Sequence, residues 1–343
     1  MTKIYKATYL DLKELVPIIF KDFPFNFKNK RVLIKPNMLS PKKEGVTTSP
    51  EVIRAVVGYV LEAGGEVIVG DNPGLISEGA AIQVAKKTGI MEAALGHFRD
   101  ISKNPSRVKT KEVGEVIISG EVLNCDILIS LPRFKTHNLT VLTGAIKNMY
   151  GILVGREKPR IHYSFPNPSD FSRAIVSIYE VRRPDLTIID GIIGMEGFGP
   201  SLGSLRAFNR IIVSRNGYEA DASLALMAGI APLSIGFLSW AKSLSYFNPQ
   251  KIEIVGDFYR IAKFKRPFKL SDYLLRRIIK ITYHPRRQKG IKIDKSRCQL
   301  CGECVKICPV SGLQQEGEEI RYLRRKCIAC FCCIEVCPEG AIR

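Results

Sequence analysis

The sequence predicts an α/β fold: a mostly parallel sheet flanked by helices, followed by a small cysteine-rich module at the C-terminal end. Short apolar, β-branched runs recur through the first 290 residues, and each ends abruptly in polar or glycine residues. Helical patterns lie between most of them. The runs are apolar throughout rather than alternating, the pattern of strands covered on both faces.

Taken in order, Arg31–Ile34 runs into Lys35-Pro36-Asn37, and Glu66–Gly70 into Asp71-Asn72-Pro73-Gly74. Asp126–Ser130 leads to Arg133-Phe134-Lys135-Thr136-His137, and Leu186–Ile189 ends at Asp190-Gly191. Ile211–Val213 and Ile252–Val255 end at Ser214-Arg215-Asn216-Gly217 and Gly256-Asp257. Between the first two runs, Thr48-Ser49-Pro50 supplies an N-cap and an early proline for an amphipathic stretch reaching Gly64-Gly65. Further helices are expected at Glu78–Lys87, Thr140–Tyr150, Ser169–Val181 and Tyr218–Ala228. Ala222–Ala241 is uncharged and long enough to span a bilayer. Gly229 and Pro232 interrupt it, so a buried helix over Asp221–Gly229 and no membrane span are expected.

Ligands of open α/β sheets bind outside the carboxyl ends of the strands. Lys35, Asn37, Asp71, Asn72, Lys135, His137, Asp190 and Asp257 should therefore converge on one edge. Strand-to-helix turns are polar in any protein, so one such residue is no more than a turn or cap. Two lysines and a histidine among them favour a shared site. His137 and His162, the latter in a loop, are candidate proton carriers, whereas His97 and His284 read as structural and Cys125 as a buried thiol. The glycine-rich stretch Gly191–Gly203 is either a phosphate cradle or a lid or turn, since it matches no nucleotide-binding fingerprint.

The C-terminal segment reads Cys298-x2-Cys301-x2-Cys304-x3-Cys308-Pro309, then Cys327-x2-Cys330-x2-Cys333-x3-Cys337-Pro338. Each cysteine has a partner 29 positions later, so the segment is a duplication. Zinc knuckles do not use this triple spacing. A disulfide framework suits a short secreted chain, and no signal-peptide pattern is present. From Ile291 to Ile342 the segment resembles the bacterial-type two-cluster ferredoxins, which implies a ferredoxin-like α+β domain with two [4Fe-4S] clusters. The fourth cysteine of each run then ligates the other cluster: Cys298, Cys301, Cys304 and Cys337 hold one, and Cys327, Cys330, Cys333 and Cys308 the second. Cys332 is an extra thiol, read as a spare.

Lys35-Pro36-Asn37, Thr48-Ser49-Pro50, Leu131–His137, Gly144–Gly151, Asp190-Gly191 and Gly199-Pro200 together resemble the domain of unknown function 362 family, which often carries a ferredoxin segment. The resemblance implies an iron–sulfur protein and gives weight to Lys135, His137, Lys147, Asn148 and Asp190. The expected site is thus Lys135, His137, Lys147, His162 and Asp190 for catalysis, with Lys35, Asn37 and Asn148 binding an anionic substrate or an unidentified second cofactor. The expected domains are 1–268 (α/β), 269–290 (basic helix and linker) and 291–343 (ferredoxin).

The net charge is +19. Tyr259–Arg297 holds 14 Lys or Arg against Asp272 and Asp294, including a basic amphipathic helix expected at Leu270–Tyr283. Such a patch suits nucleic acid, an anionic membrane surface, an acidic redox partner or the clusters themselves. The absence of nucleic-acid-binding signatures and of interleaved aromatics argues against nucleic acid. The expected function is a cytoplasmic iron–sulfur oxidoreductase, with an electron-transfer adaptor as the alternative; its partner is a redox protein or a small anion.

Overall fold

The computed structural model describes residues 1–41, 45–267 and 290–343. The basic helix expected at Leu270–Tyr283 lies outside the described residues. The strands are β1 (Thr2–Lys6), β2 (Arg31–Pro36), β3 (Glu66–Val69), β4 (Pro105–Thr110), β5 (Gly114–Ser119), β6 (Ile127–Leu131), β7 (Arg133–His137), β8 (Val141–Thr143), β9 (Leu186–Glu196), β10 (Ser204–Ser214), β11 (Ile254–Gly256), β12 (Leu313–Glu316) and β13 (Glu319–Tyr322). The main sheet runs β11-β1-β10-β9-β6-β2-β3, with β7 beside β9 and β8 beside β7. Its heart, β9-β6-β2-β3, is parallel, while β10 is antiparallel to both β9 and β1.

Successive residues of β2 face different cores. Val32 and Ile34 join the helices Leu12–Asp22 and Pro50–Glu62 on one face, and Leu33 joins Pro168–Tyr179 and Gly217–Met227 on the other. Burial on both faces explains why these strands are apolar at every position. Ser49 caps Pro50–Glu62 by accepting the Val52 N–H at 3.3 Å, with Pro50 at the first helical position as expected.

Several expectations change. The uncharged run divides into the buried helix Gly217–Met227, a 3-10 turn Pro232–Ser234 and the helix Gly236–Ser243; Gly229, at φ +67°, follows the first helix. Among the described residues, no helix is long and apolar enough to cross a membrane. The helix expected at Thr140–Tyr150 is instead β8, a short helix Ala145–Asn148 and a 3-10 turn Met149–Ile152. Gly191 and Gly194 lie within β9, so neither belongs to a cradle. A Cβ on Gly194 would meet Phe208 at 2.6 Å and the Phe134 carbonyl at 2.7 Å, so strand packing accounts for that glycine. His162 is on the helix Glu157–Ser164, not in a loop.

The C-terminal module consists of the β12–β13 hairpin and two short helices, Glu303–Ile307 and Cys332–Val336. A bridge between Ile293 and Ile342 ties its two ends together. Both helices face the carboxyl edge of the large sheet. Ser77 Oγ donates to Glu303 Oε1 at 2.5 Å, the Arg156 guanidinium donates to the Lys306 carbonyl at 3.3 Å, and Gly74 lies against Val336.

Candidate functional site at the seam between sheet and cysteine module

The buried cations at the sheet edge are held by groups from distant segments. Lys35, next to last in β2, has no exposed surface, its Nζ 2.7 Å from Asp71 Oδ1 and donating to the Asn148 carbonyl at 2.7 Å. Burial lowers its pKa, while Asp71 opposes that shift. The second Asp71 oxygen accepts the Met38 N–H at 2.8 Å. Lys135 Nζ donates to Asn37 Oδ1 and to the Val46 carbonyl, both at 2.6 Å, and burial brings its pKa down to about 7. Asn148 donates to Ser130 Oγ at 2.9 Å, and its own Oδ1 is buried without a partner.

A narrow cavity of about 60 Å³ lies between this edge and the cysteine module. Asn37, Asn72, Lys147, Asn148, Lys158 and His162 line it from the large domain, and Ile307, Cys332, Glu335 and Val336 from the module. Lys147 Nζ sits 4.4 Å from the Tyr150 ring centroid, a cation–π contact. Lys158 Nζ donates to the carbonyls of Asn72 and Pro73, and burial lowers it to about 7. His162 stacks on Phe171 with ring centroids 4.4 Å apart, and burial drives it to about 3, so it is neutral at neutral pH.

His137 joins the two parts. Its Nδ1 accepts the N–H groups of Leu139 and Thr140 at 3.0 and 3.4 Å, which puts the imidazole proton on Nε2. Nε2 lies 3.2 Å from Glu335 Oε1, an off-line contact between a neutral ring and a carboxylate. Burial alone would raise the Glu335 carboxyl, but His137, Lys147 and His162 outweigh it and hold it near 2.

Asp190 is elsewhere. It is paired with Arg133 and accepts the Ser49 N–H at 3.0 Å, while Arg133 also donates to Tyr9 at 3.2 Å. These groups form a separate network beside the seam. Asp257 lies at the β11 end of the sheet, where it accepts the Lys6 N–H at 3.1 Å. The sheet edge thus gathers Lys35, Asn37, Lys135, His137, Lys147, Asn148 and His162 near one cavity, and leaves Asp190 and Asp257 outside it.

Glu335, Lys158 and Tyr150 are not singled out as site residues by the sequence, which marks Cys332 only as a spare thiol. One signal was available: in the 29-residue repeat, Glu335 occupies the position that Lys306 has in the first half, a reversal of charge.

The duplication also shows in the backbone. Leu300, Gly302 and Ser311 have φ of 54°, 72° and 49°, and their repeat partners Ala329, Phe331 and Gly340 have 54°, 62° and 59°. Left-handed non-glycine residues are uncommon and persist where the surroundings demand them. Here they fold each cysteine run inward. Burial, followed by the charges of Cys337, Cys301 and Cys298, pushes the Cys304 thiol up to about 12. Burial, then Cys330, Cys327 and Cys308, raises Cys333 well above the usual thiol range. These neighbours include the expected partners of each run, and Cys304 of the other run also acts on Cys333. Cys298, Cys301, Cys304 and Cys337 also line a common cavity with Ile293, Ile320 and Ile342. Backbone N–H groups of Gly312 and Ala341 point to the sulfurs of Cys308 and Cys337 at 3.1 and 3.2 Å. Two inward-facing thiol quartets in apolar surroundings fit iron–sulfur ligation.

Residues 32–225, more than half of the chain, match the family described as a domain of unknown function, DUF362. The chain belongs to the DUF362 family. Residues 290–338 match a 4Fe-4S dicluster domain, so this DUF362 protein is an iron–sulfur protein with at least one [4Fe-4S] cluster. A thylakoid-associated protein of Synechocystis is 27% identical over 268 residues, covering 74% of this chain and 82% of that protein. Among solved structures, a Thermotoga maritima protein aligns with a TM-score of 0.42 and 14% identity, over 66% of this chain and 60% of its own. The lactate racemase apoprotein of Thermoanaerobacterium thermosaccharolyticum aligns with a TM-score of 0.45 and 13% identity, over 67% and 57%.

Proposed function

We propose that this DUF362 protein is an iron–sulfur oxidoreductase that binds two [4Fe-4S] clusters and serves a small anion held at the seam. The observation that carries the reading is the cavity itself: the helix bearing Cys333 forms one wall, and Lys147, Lys158 and His162 form the other. When bound, the clusters supply one-electron transfer. Cys298, Cys301, Cys304 and Cys337 hold one, and Cys327, Cys330, Cys333 and Cys308 the other.

Size narrows the ligand. Pockets for drug-sized molecules and cofactors run to roughly 300–1,000 Å³. The seam cavity, at about 60 Å³, has room for a few waters or a compact oxyanion. Lys147 supplies the charge for that anion, and Asn37 and Asn148 line the same space. Lys135 acts at one remove by fixing the Asn37 side chain. Lys158, near 7 and facing the cavity, is better placed to move a proton than either histidine. The Nδ1 lone pair of His137 is occupied by two backbone N–H groups, and His162 is too weak a base. Asp190 supports the fold beside the site through Arg133.

The same weakness of the histidines favours a second reading, an electron-transfer adaptor whose large domain performs no chemistry. Anaerobic protein should carry eight iron and eight acid-labile sulfide per chain. Lys158→Met should abolish reductive turnover of a small oxyanion acceptor while iron content and melting stay unchanged. Full turnover in that variant, or four iron in the wild type, overturns the corresponding half of the reading.

A further inference from the structure

We propose that Lys147 makes the two thiol quartets electrostatically unequal. It raises the reduction potential at Cys327, Cys330, Cys333 and Cys308 above that at Cys298, Cys301, Cys304 and Cys337. The inference rests on the two-cluster reading and adds a direction to it: the quartet beside the cavity is the electron-accepting end.

The inequality lies in the surroundings. Lys35, Lys135, Lys147 and Lys158 gather at the sheet edge against two carboxylates, Asp71 and Glu335. Asp71 is paired with Lys35, and Glu335 faces His137. Lys147 makes no direct ion pair among the described residues, and Glu335 acts on it from the opposite wall of the cavity. Its ammonium rests on the Tyr150 ring, which lines the same cavity as Cys332. Lys147 and Cys332, the residue preceding Cys333, line the same narrow cavity. Beside the other quartet, Lys306 acts on Cys301 from an exposed position. Cys301 is exposed, and the charged residues on the helix that follows it, Glu303 and Lys306, pair with each other at 2.9 Å. Solvent screens what remains.

One-electron reduction adds one negative charge to a [4Fe-4S] centre, and net charge and solvent exposure are among the factors that set such potentials. A buried ammonium in this wall favours the reduced form on its own side. Lys147 is in this respect a positioning charge.

The test is an anaerobic redox titration of the full-length protein followed by electron paramagnetic resonance, with Cys301→Ala identifying the first quartet's signal by its loss. The wild type should show two potentials. Lys147→Met, which keeps the stem on Tyr150, should lower the higher one and leave the other in place, and Lys147→Arg should restore it. Equal shifts in both, no shift, or a shift confined to the signal that Cys301→Ala removes overturns the proposal. If Lys147→Met does not fold, Lys158→Met reports on the same wall and should lower the same potential. Fewer than eight iron in the wild type is a different failure, that of the two-cluster reading.

Discussion

Gly151 shows how closely single residues are matched at the seam. A Cβ there would lie 2.1 Å from Asp71 Oδ1 and 2.7 Å from Lys35 Nζ, so the buried ion pair fits only against a glycine. The constraint is space, because Gly151 is not among the residues with positive φ. Gly151→Ala should separate Lys35 from Asp71 and cost on the order of 3 kcal/mol in chemical denaturation, the scale for disrupting a buried pair. A loss below about 1 kcal/mol would show that the loop relaxes around the methyl group. Lys35, Lys135 and Lys147 were legible in the sequence, and Lys158 was not. The partners were not legible either, because pairs such as Lys135 and Asn37 lie 98 residues apart and nothing local links them.

Among the elements, those buried on both faces were the easiest to read. β2, β3, β6, β9 and β10 contain uniformly apolar runs, and all five coincide with runs picked out from sequence. β7 was hidden. Its residues Arg133, Phe134, Lys135, Thr136 and His137 are all buried, but three are basic and read as a polar loop. Only the tertiary partners Asp190, Asn37 and Glu335 make such a strand tolerable. The Ala145–Asn148 helix was overextended for a related reason. Its start is fixed by Asp221 of another helix, which accepts the Ala145 and Ile146 N–H groups at 2.6 and 3.0 Å. Burial raises the Asp221 carboxyl from 3.8 to about 7, against those two hydrogen bonds. A carboxyl raised on folding stabilises the protein fully below its unfolded value and loses that contribution as pH rises through the folded one. Denaturation midpoints of the wild type should therefore fall from about pH 4 to about pH 7 relative to those of Asp221→Asn, and run parallel above that. Parallel pH profiles for the two proteins would remove Asp221 as the cause.

At the scale of the whole molecule, the large domain and the cysteine module share buried charge, which is unusual for neighbours that pack through ordinary, more polar interdomain contacts. Lys306 and Glu335 occupy equivalent places in the repeat, yet the first lies outside with Glu303 and the second inside with His137. Exchanging them, as Lys306→Glu with Glu335→Lys, should leave both cysteine runs intact and bring a fifth lysine to the seam's cationic wall. Calorimetry should then resolve two melting transitions where the wild type shows one, with iron content retained. A single unshifted transition would show that the seam does not depend on these charges.

A module built by duplication offers nearly the same backbone twice, so a half-turn would present a similar surface to its host. A lock that accepted both orientations would place either thiol quartet beside the cavity at random. The one reversed charge acts as the ward of that lock: it admits the key one way up, and so gives a symmetrical part an inside and an outside.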